Sequence, residues 1–254
     1  MKINVHAGHN PDGKIACGAV GLIKESTEAR KVKNLVISKL RKMGHTVYDC
    51  TVSNGTSQND VLKKIVEKCN MHDVELDVSI HFNSGANDKT GNGKSCGTEV
   101  WVYTDKSTQK ERAAKICEAI SDLGFRNRGV KISDSLYVLK HTNAPALLVE
   151  CCFVDDKDDV DLYNAEEMAD AIVLGITGKK ATTTTSSETE KESDSYKVKV
   201  TADLLNVRKG PGTDYAVVTT VKKSDVYTII EVQNGWGKLK SGAGWISLKY
   251  TEKV

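Results

Sequence analysis

The 254-residue sequence has no Cys-x-x-Cys pair, no long apolar run and almost no net charge. Its seven cysteines are odd in number and all fall within the first 152 residues. Several sit in apolar stretches, such as Cys117 in AAKICEAI and Cys151–Cys152 in LLVECCFV. A free cysteine there acts as a small hydrophobe. The pattern excludes a disulfide scaffold and fits folding in a reducing compartment. No stretch approaches the roughly 18 apolar residues of a membrane span. The opening MKINVHAGH carries no apolar core of a secretory leader, so synthesis in the cytoplasm without a signal peptide is expected. A formal net charge of +2 points to no particular partner and gives no reason to expect nucleic acid.

The charge that is present is unevenly spread. Residues 196–254 hold ten Lys/Arg against five Asp/Glu, while residues 1–178 hold 23 against 25. A basic C-terminal piece suits an anionic polymer, and equally a solubilising surface. Between the two lies KKATTTTSSETEKESDS, residues 179–195, whose one hydrophobic residue is Ala181. It cannot bury a core and reads as a flexible linker spanning roughly 20–25 Å.

Before the linker, β and α signals alternate. Strands are expected at Lys2–His6, Thr46–Cys50, Leu76–His81, Thr98–Tyr103 and Ala146–Cys151. Helices are expected at Thr27–Met43, Gln58–Met71, Thr108–Leu123 and Ala165–Ile176, from apolar residues at a 3.6 period. This predicts an α/β domain, a mixed sheet with helices on both faces. After the linker, short β-branched runs separated by KGPGTD, NGWG and SGAG predict a small all-β barrel.

Four polar residues fall where elements of the first domain should end or begin. His9 follows the first strand, Glu28 opens the first long helix, His81 ends the third strand and Glu150 ends a late buried strand. Ligands of α/β sheets gather at the carboxyl ends of strands. Two imidazoles and a carboxylate form a common zinc set, and a second carboxylate can move a proton. Each also has a plain structural reading. Glu28 suits the positive end of a helix dipole, and Glu25 competes with it. Glu150 is the sharpest signal, because a carboxylate between LLV and CCFV is costly to bury unless paired or functional.

The first domain resembles the amidase_3 family of N-acetylmuramoyl-L-alanine amidases. The likeness rests on VHAGHN, Glu28, DVSIHFN at 77–83, GTEVWVY at 97–103, NRGVK at 127–131 and PALLVECCFV at 145–154. It implies Zn2+ held by His9, Glu28 and His81, with Glu150 as the catalytic glutamate. The implied reaction is hydrolysis of the amide between N-acetylmuramic acid and L-alanine in peptidoglycan. Asn83, Arg128 and His141 are candidate substrate contacts. Residues 196–254 resemble a bacterial SH3 domain, most clearly in LLNVRKGPGTDYAVV and GAGWISLKY. There Trp236, Trp245 and Tyr215 supply either stacking surface or core. Together the likenesses suggest a phage or prophage endolysin released to a Gram-positive-type wall. The alternatives are a sporulation or autolytic amidase, a zinc peptidase of the stem peptide, and a non-catalytic wall binder. The sequence leaves the oligomeric state open.

Overall fold

The computed structural model describes residues 1–180, 196–213, 215–233 and 235–254. Beyond Lys180 the expected linker lies outside them. The chain divides into two compact units, Met1–Thr184 and Thr185–Val254. Among the described residues no helix is long and apolar enough to cross a membrane.

The first unit runs β1 (Lys2–Ala7), α1 (Glu25–Lys42), β2 (Thr46–Asp49), α2 (Gln58–Asn70), β3 (Leu76–Asn83), β4 (Thr98–Val102), α3 (Lys110–Ser121), β5 (Asn127–Ile132), α4 (Tyr137–His141), β6 (Ala146–Phe153), α5 (Lys157–Leu162) and α6 (Ala165–Thr177). Its strands form one sheet in the order β2-β1-β3-β6-β4-β5. All pairings are parallel except β4 with β6. The expected mixed sheet is therefore present.

Strand alternation divides the sheet into two unlike faces. Ile3, Val5, Val78, Ile80, Leu147 and Val149 point into a core shared with α1, α3 and α6. On α1 this core takes Ala29, Val32, Val36 and Leu40, the helical stripe expected from the sequence. The opposite face carries α2 and α4 over smaller clusters. It is also polar where it is buried: Asn4, His6, Asp77, Ser79 and His81 share it. Both helix layers match the expectation, and the polar face is what positions the site.

Local signals set the helix ends. Ser57 caps α2 by accepting from the Asp60 amide at 3.1 Å. Asn164 caps α6 by accepting from Glu166 and Glu167, and Gly178 closes that helix in a left-handed conformation. Helix α1 begins at Glu25, two residues earlier than the sequence pattern suggested. Its first turn thus holds both Glu25 and Glu28.

The second unit is an antiparallel sheet in the order β13-β7-β10-β11-β12-β8-β9. The ranges are β7 (Tyr196–Val200), β8 (Leu204–Arg208), β9 (Val217–Lys222), β10 (Val226–Gln233), β11 (Trp236–Leu239), β12 (Trp245–Ser247) and β13 (Thr251–Lys253). Its core is built from Val198, Val200, Leu205, Val207, Val221, Ile229, Leu239 and Ile246.

Candidate active site

Three side chains converge at the carboxyl end of the polar face. His9 lies just past β1, His81 is near the end of β3, and Glu25 opens α1. One ligand atom from each falls within 4.8 Å of the others. Glu25 Oε1 lies 3.1 Å from His9 Nε2 and 3.0 Å from His81 Nδ1. The same oxygen accepts from the Phe82 amide, and Oε2 accepts from the Ala19 amide at 2.7 Å. The two imidazoles meet edge to face with centroids 4.9 Å apart.

Close packing holds these rings in place. A Cβ on Gly8 would lie 1.9 Å from the His81 ring, and one on Gly18 would lie 2.4 Å from Glu25 Oε2. Glycine at both positions lets the loop after β1 close onto the cluster. Arg30 of α1 fixes the same loop by donating from Nη2 to the His9 and Val52 carbonyls.

Electrostatics sort the carboxylates. Burial alone would raise the Glu25 carboxyl, but hydrogen bonds with His81 and His9 outweigh it and hold it well below the ordinary range. Burial lowers His81, against the pull of Glu25. Two nitrogen donors and an ionised oxygen donor suit a small divalent cation such as zinc. His81 Nε2 is also buried without a partner, so this polar cluster is not fully satisfied by protein groups.

The structure does not bring Glu28 into this cluster. Glu28 lies three residues along α1, and its oxygens are taken by Lys31 Nζ at 2.7 Å and the Tyr163 hydroxyl at 3.1 Å. The two lie about 60° apart around the helix, and different partners hold them: Ala19 and Phe82 for Glu25, Lys31 and Tyr163 for Glu28. Glu25, the competing candidate, joins the histidines.

Glu150 stands beside this cluster. It is in register with His81 across β3 and β6, and with Glu99 across β6 and β4. Its Oε2 is buried with no hydrogen-bond partner. Burial, then the charges of Glu25 and Glu99, push its carboxyl well above the ordinary value. Two neighbouring carboxyls are thus shifted in opposite directions, an arrangement that can separate a proton carrier from a cation ligand.

Residues 3–178 match the N-acetylmuramoyl-L-alanine amidase family. The chain belongs to that amidase family. Residues 203–252 match the bacterial SH3 domain family. An uncharacterized Clostridium perfringens protein is 37% identical over 164 residues, covering 64% of this chain and 47% of its own length. The endolysin of Bacillus phage SPP1 is 29% identical over 177 residues, covering 66% of this chain and 60% of its own. The match thus spans about half the length of the first of these relatives. The solved catalytic domain of the CD27L endolysin targeting Clostridia difficile shares 28% identity at a TM-score of 0.63. That comparison covers 71% of this chain and 98% of that domain.

The remaining candidates of the amidase unit separate. Asn83 Nδ2 donates to Glu99 Oε1 at 3.0 Å, and Arg128 Nε donates to Glu99 Oε2 at 2.8 Å. Both therefore attach to the row that holds Glu150. His141 is exposed at the end of α4 and packs against Tyr137, with centroids 4.3 Å apart. Among the described residues its contacts are with Tyr137 and, through its carbonyl, Asn70, and not with the cluster. Glu99 escaped the sequence reading, although Glu99 and Glu150 give the same signal, a carboxylate inside an apolar strand. His6 is fully buried, with Nδ1 3.4 Å from Ser79 Oγ. Burial, then the nearby His81, lowers it to about 3, so this ring is neutral.

In the SH3 unit the expected aromatics split. Trp245 is buried and Tyr215 is exposed. Trp236 lines a groove with Leu204, Asn206, Arg208, Lys249 and Tyr250.

Proposed function

We propose that the chain is a zinc-dependent amidase of peptidoglycan, hydrolysing the amide between the lactyl group of N-acetylmuramic acid and L-alanine. The observation that carries this reading is a His9–Glu25–His81 donor set beside a buried Glu150 carboxyl whose Oε2 has no hydrogen-bond partner among the described residues. His9, Glu25 and His81 hold the zinc, with Glu25 in the place first expected of Glu28. Bound there, the ion supplies Lewis acidity to the scissile carbonyl and lowers the pKa of water. Glu150 removes the proton of the attacking water and returns it to the leaving amine. A cation held there would favour the ionised form of Glu150, against the burial that raises its carboxyl. Glu25 stays ionised throughout, which keeps the two carboxylates in separate roles.

Residues 1–178 form the catalytic part, 179–195 a linker and 196–254 a wall-binding part. The basic balance of the last suits an anionic wall polymer, and the Trp236 groove offers it a stacking surface. Likeness to two endolysins supports a phage or prophage lytic enzyme acting on a Gram-positive-type wall.

Digestion of purified peptidoglycan followed by mass spectrometry tests the reaction. Free L-alanine amino termini on intact glycan strands are expected. Cuts between amino acids would replace the amidase by a peptidase. In Glu150→Gln the expected result is a loss of turnover of about 10²–10⁴-fold with zinc retained.

A further inference from the structure

Two β-bulges flank Glu150. Between β3 and β6, His81–Asn83 face the longer stretch Glu150–Phe153. Between β4 and β5, Thr98–Val100 face Asn127–Val130. Bulges re-aim side chains and recur beside active sites. In the second bulge Gly129 takes a left-handed φ of 78°, with its amide donating to Asn127 Oδ1 at 2.8 Å. A residue with a Cβ would be strained there. The extra residue lets Arg128 reach back to Glu99 on β4.

The guanidinium is fixed on three sides. Its Nε donates to Glu99 Oε2 at 2.8 Å, its Nη1 reaches the Cys96 carbonyl at 3.4 Å, and its carbon lies 5.0 Å from the Phe153 ring centroid. Glu99 is itself 4% exposed, and its other oxygen accepts from Asn83. Glu99 faces Glu150 directly across the strands. Arg128 is therefore a fixed cation one residue away from the proton carrier. Its side chain keeps 29% of its exposure, and among the described residues no hydrogen bond engages Nη2. Glu99 takes Nε and the Cys96 carbonyl takes one hydrogen of Nη1, so Nη2 and the second hydrogen of Nη1 are not taken up by either. The outer edge is left in the form that grips a carboxylate with two parallel hydrogen bonds.

We propose that Arg128 is a specificity-determining residue that binds a free carboxylate of the stem peptide close to the scissile amide, with Glu99 and Asn83 as its positioning residues. This rests on the amidase reading above. It predicts discrimination between stems whose second residue carries a free α-carboxylate and stems in which that group is amidated. The amide would leave one charge-assisted contact unmade.

Two soluble muropeptides that differ only in this group provide the test. Their kcat/KM values are compared for wild type, Arg128→Gln, Arg128→Lys and the double variant Glu99→Gln/Arg128→Gln. Wild type is expected to prefer the carboxylate by about tenfold or more. Arg128→Gln should bring the ratio to about one, mainly through KM. Arg128→Lys keeps the charge without the fork and should fall between. The double variant removes the buried charge that Arg128→Gln strands, so a collapsed ratio in that folded protein also supports the proposal. A wild-type ratio near one overturns it, and so does equal loss on both substrates with the ratio preserved. Failure of wild type to cleave either muropeptide sinks the amidase reading and the proposal with it. Cleavage with no preference sinks the proposal alone.

Discussion

Glu25 and Glu28 differ by less than one helical turn, yet their surroundings assign them opposite work. Glu25 is buried between two imidazoles and accepts two backbone amides. Glu28 faces Lys31 and Tyr163. Glu25→Gln is therefore expected to lose most bound zinc, since the amide cannot supply the ionised donor. Glu28→Gln is expected to keep it and to lose about 1 kcal/mol of stability from its contact with Tyr163. Metal quantification on both purified variants decides the matter, and zinc loss in the Glu28 variant alone would reverse the assignment. The sequence held both carboxylates but not the choice between them. What decides is where α1 starts and how the loop after β1 folds back, and both depend on Gly8 and Gly18 meeting side chains distant in sequence or folded onto the loop. Glu150 was legible because a carboxylate in an apolar strand has few structural excuses. Glu99 offered the same cue, but its significance lies in a strand pairing that sequence alone does not supply.

At the level of elements, the main strands and helices were readable because each repeats a simple period, two for strands and 3.6 for helices. The short α4 and α5 and the strand β5 carried too little period to be seen. The loop between β3 and β4 was equally opaque, since its order comes from three aspartates after β6. Asp155 accepts from the amides of Gly85, Ala86 and Asn87, and Asp158 from those of Asn92, Gly93 and Lys94. Asp159 takes the Ser95 hydroxyl and the Gly97 amide. Burial alone would raise Asp155, but its three amide donors win and lower it below the ordinary 3.8. A lowered carboxyl gives stability that is fully present above the unfolded value and lost as pH falls through the folded one. Asp155→Asn should therefore destabilise the amidase unit by about 2 kcal/mol near neutral pH. The gap should close as pH drops below the ordinary aspartate value. Chemical denaturation of both proteins across that range is the check, and a gap independent of pH would mean that the carboxylate charge contributes nothing.

The sequence joins a roughly neutral N-terminal part to a basic C-terminal part, and on the proposed reading this asymmetry gives wall association a salt dependence that catalysis need not share. Attraction between exposed lysines and an anionic polymer acts over about 10 Å at 0.1 M salt and about 3 Å at 1 M. Chemistry in the buried Glu25–Glu150 site is screened much less. Retention of the full chain on insoluble walls should fall several-fold between those conditions, while turnover of a soluble muropeptide should change far less. If both parts engage the intact wall, the two readouts interact there, because one bound part raises the local concentration of the other. Wall lysis should therefore follow retention as salt rises, and should not follow soluble turnover. Co-sedimentation and both hydrolysis assays in one salt series measure this. Retention that stays flat while lysis falls would place the salt sensitivity in the amidase unit and leave the basic surface as a solubilising one.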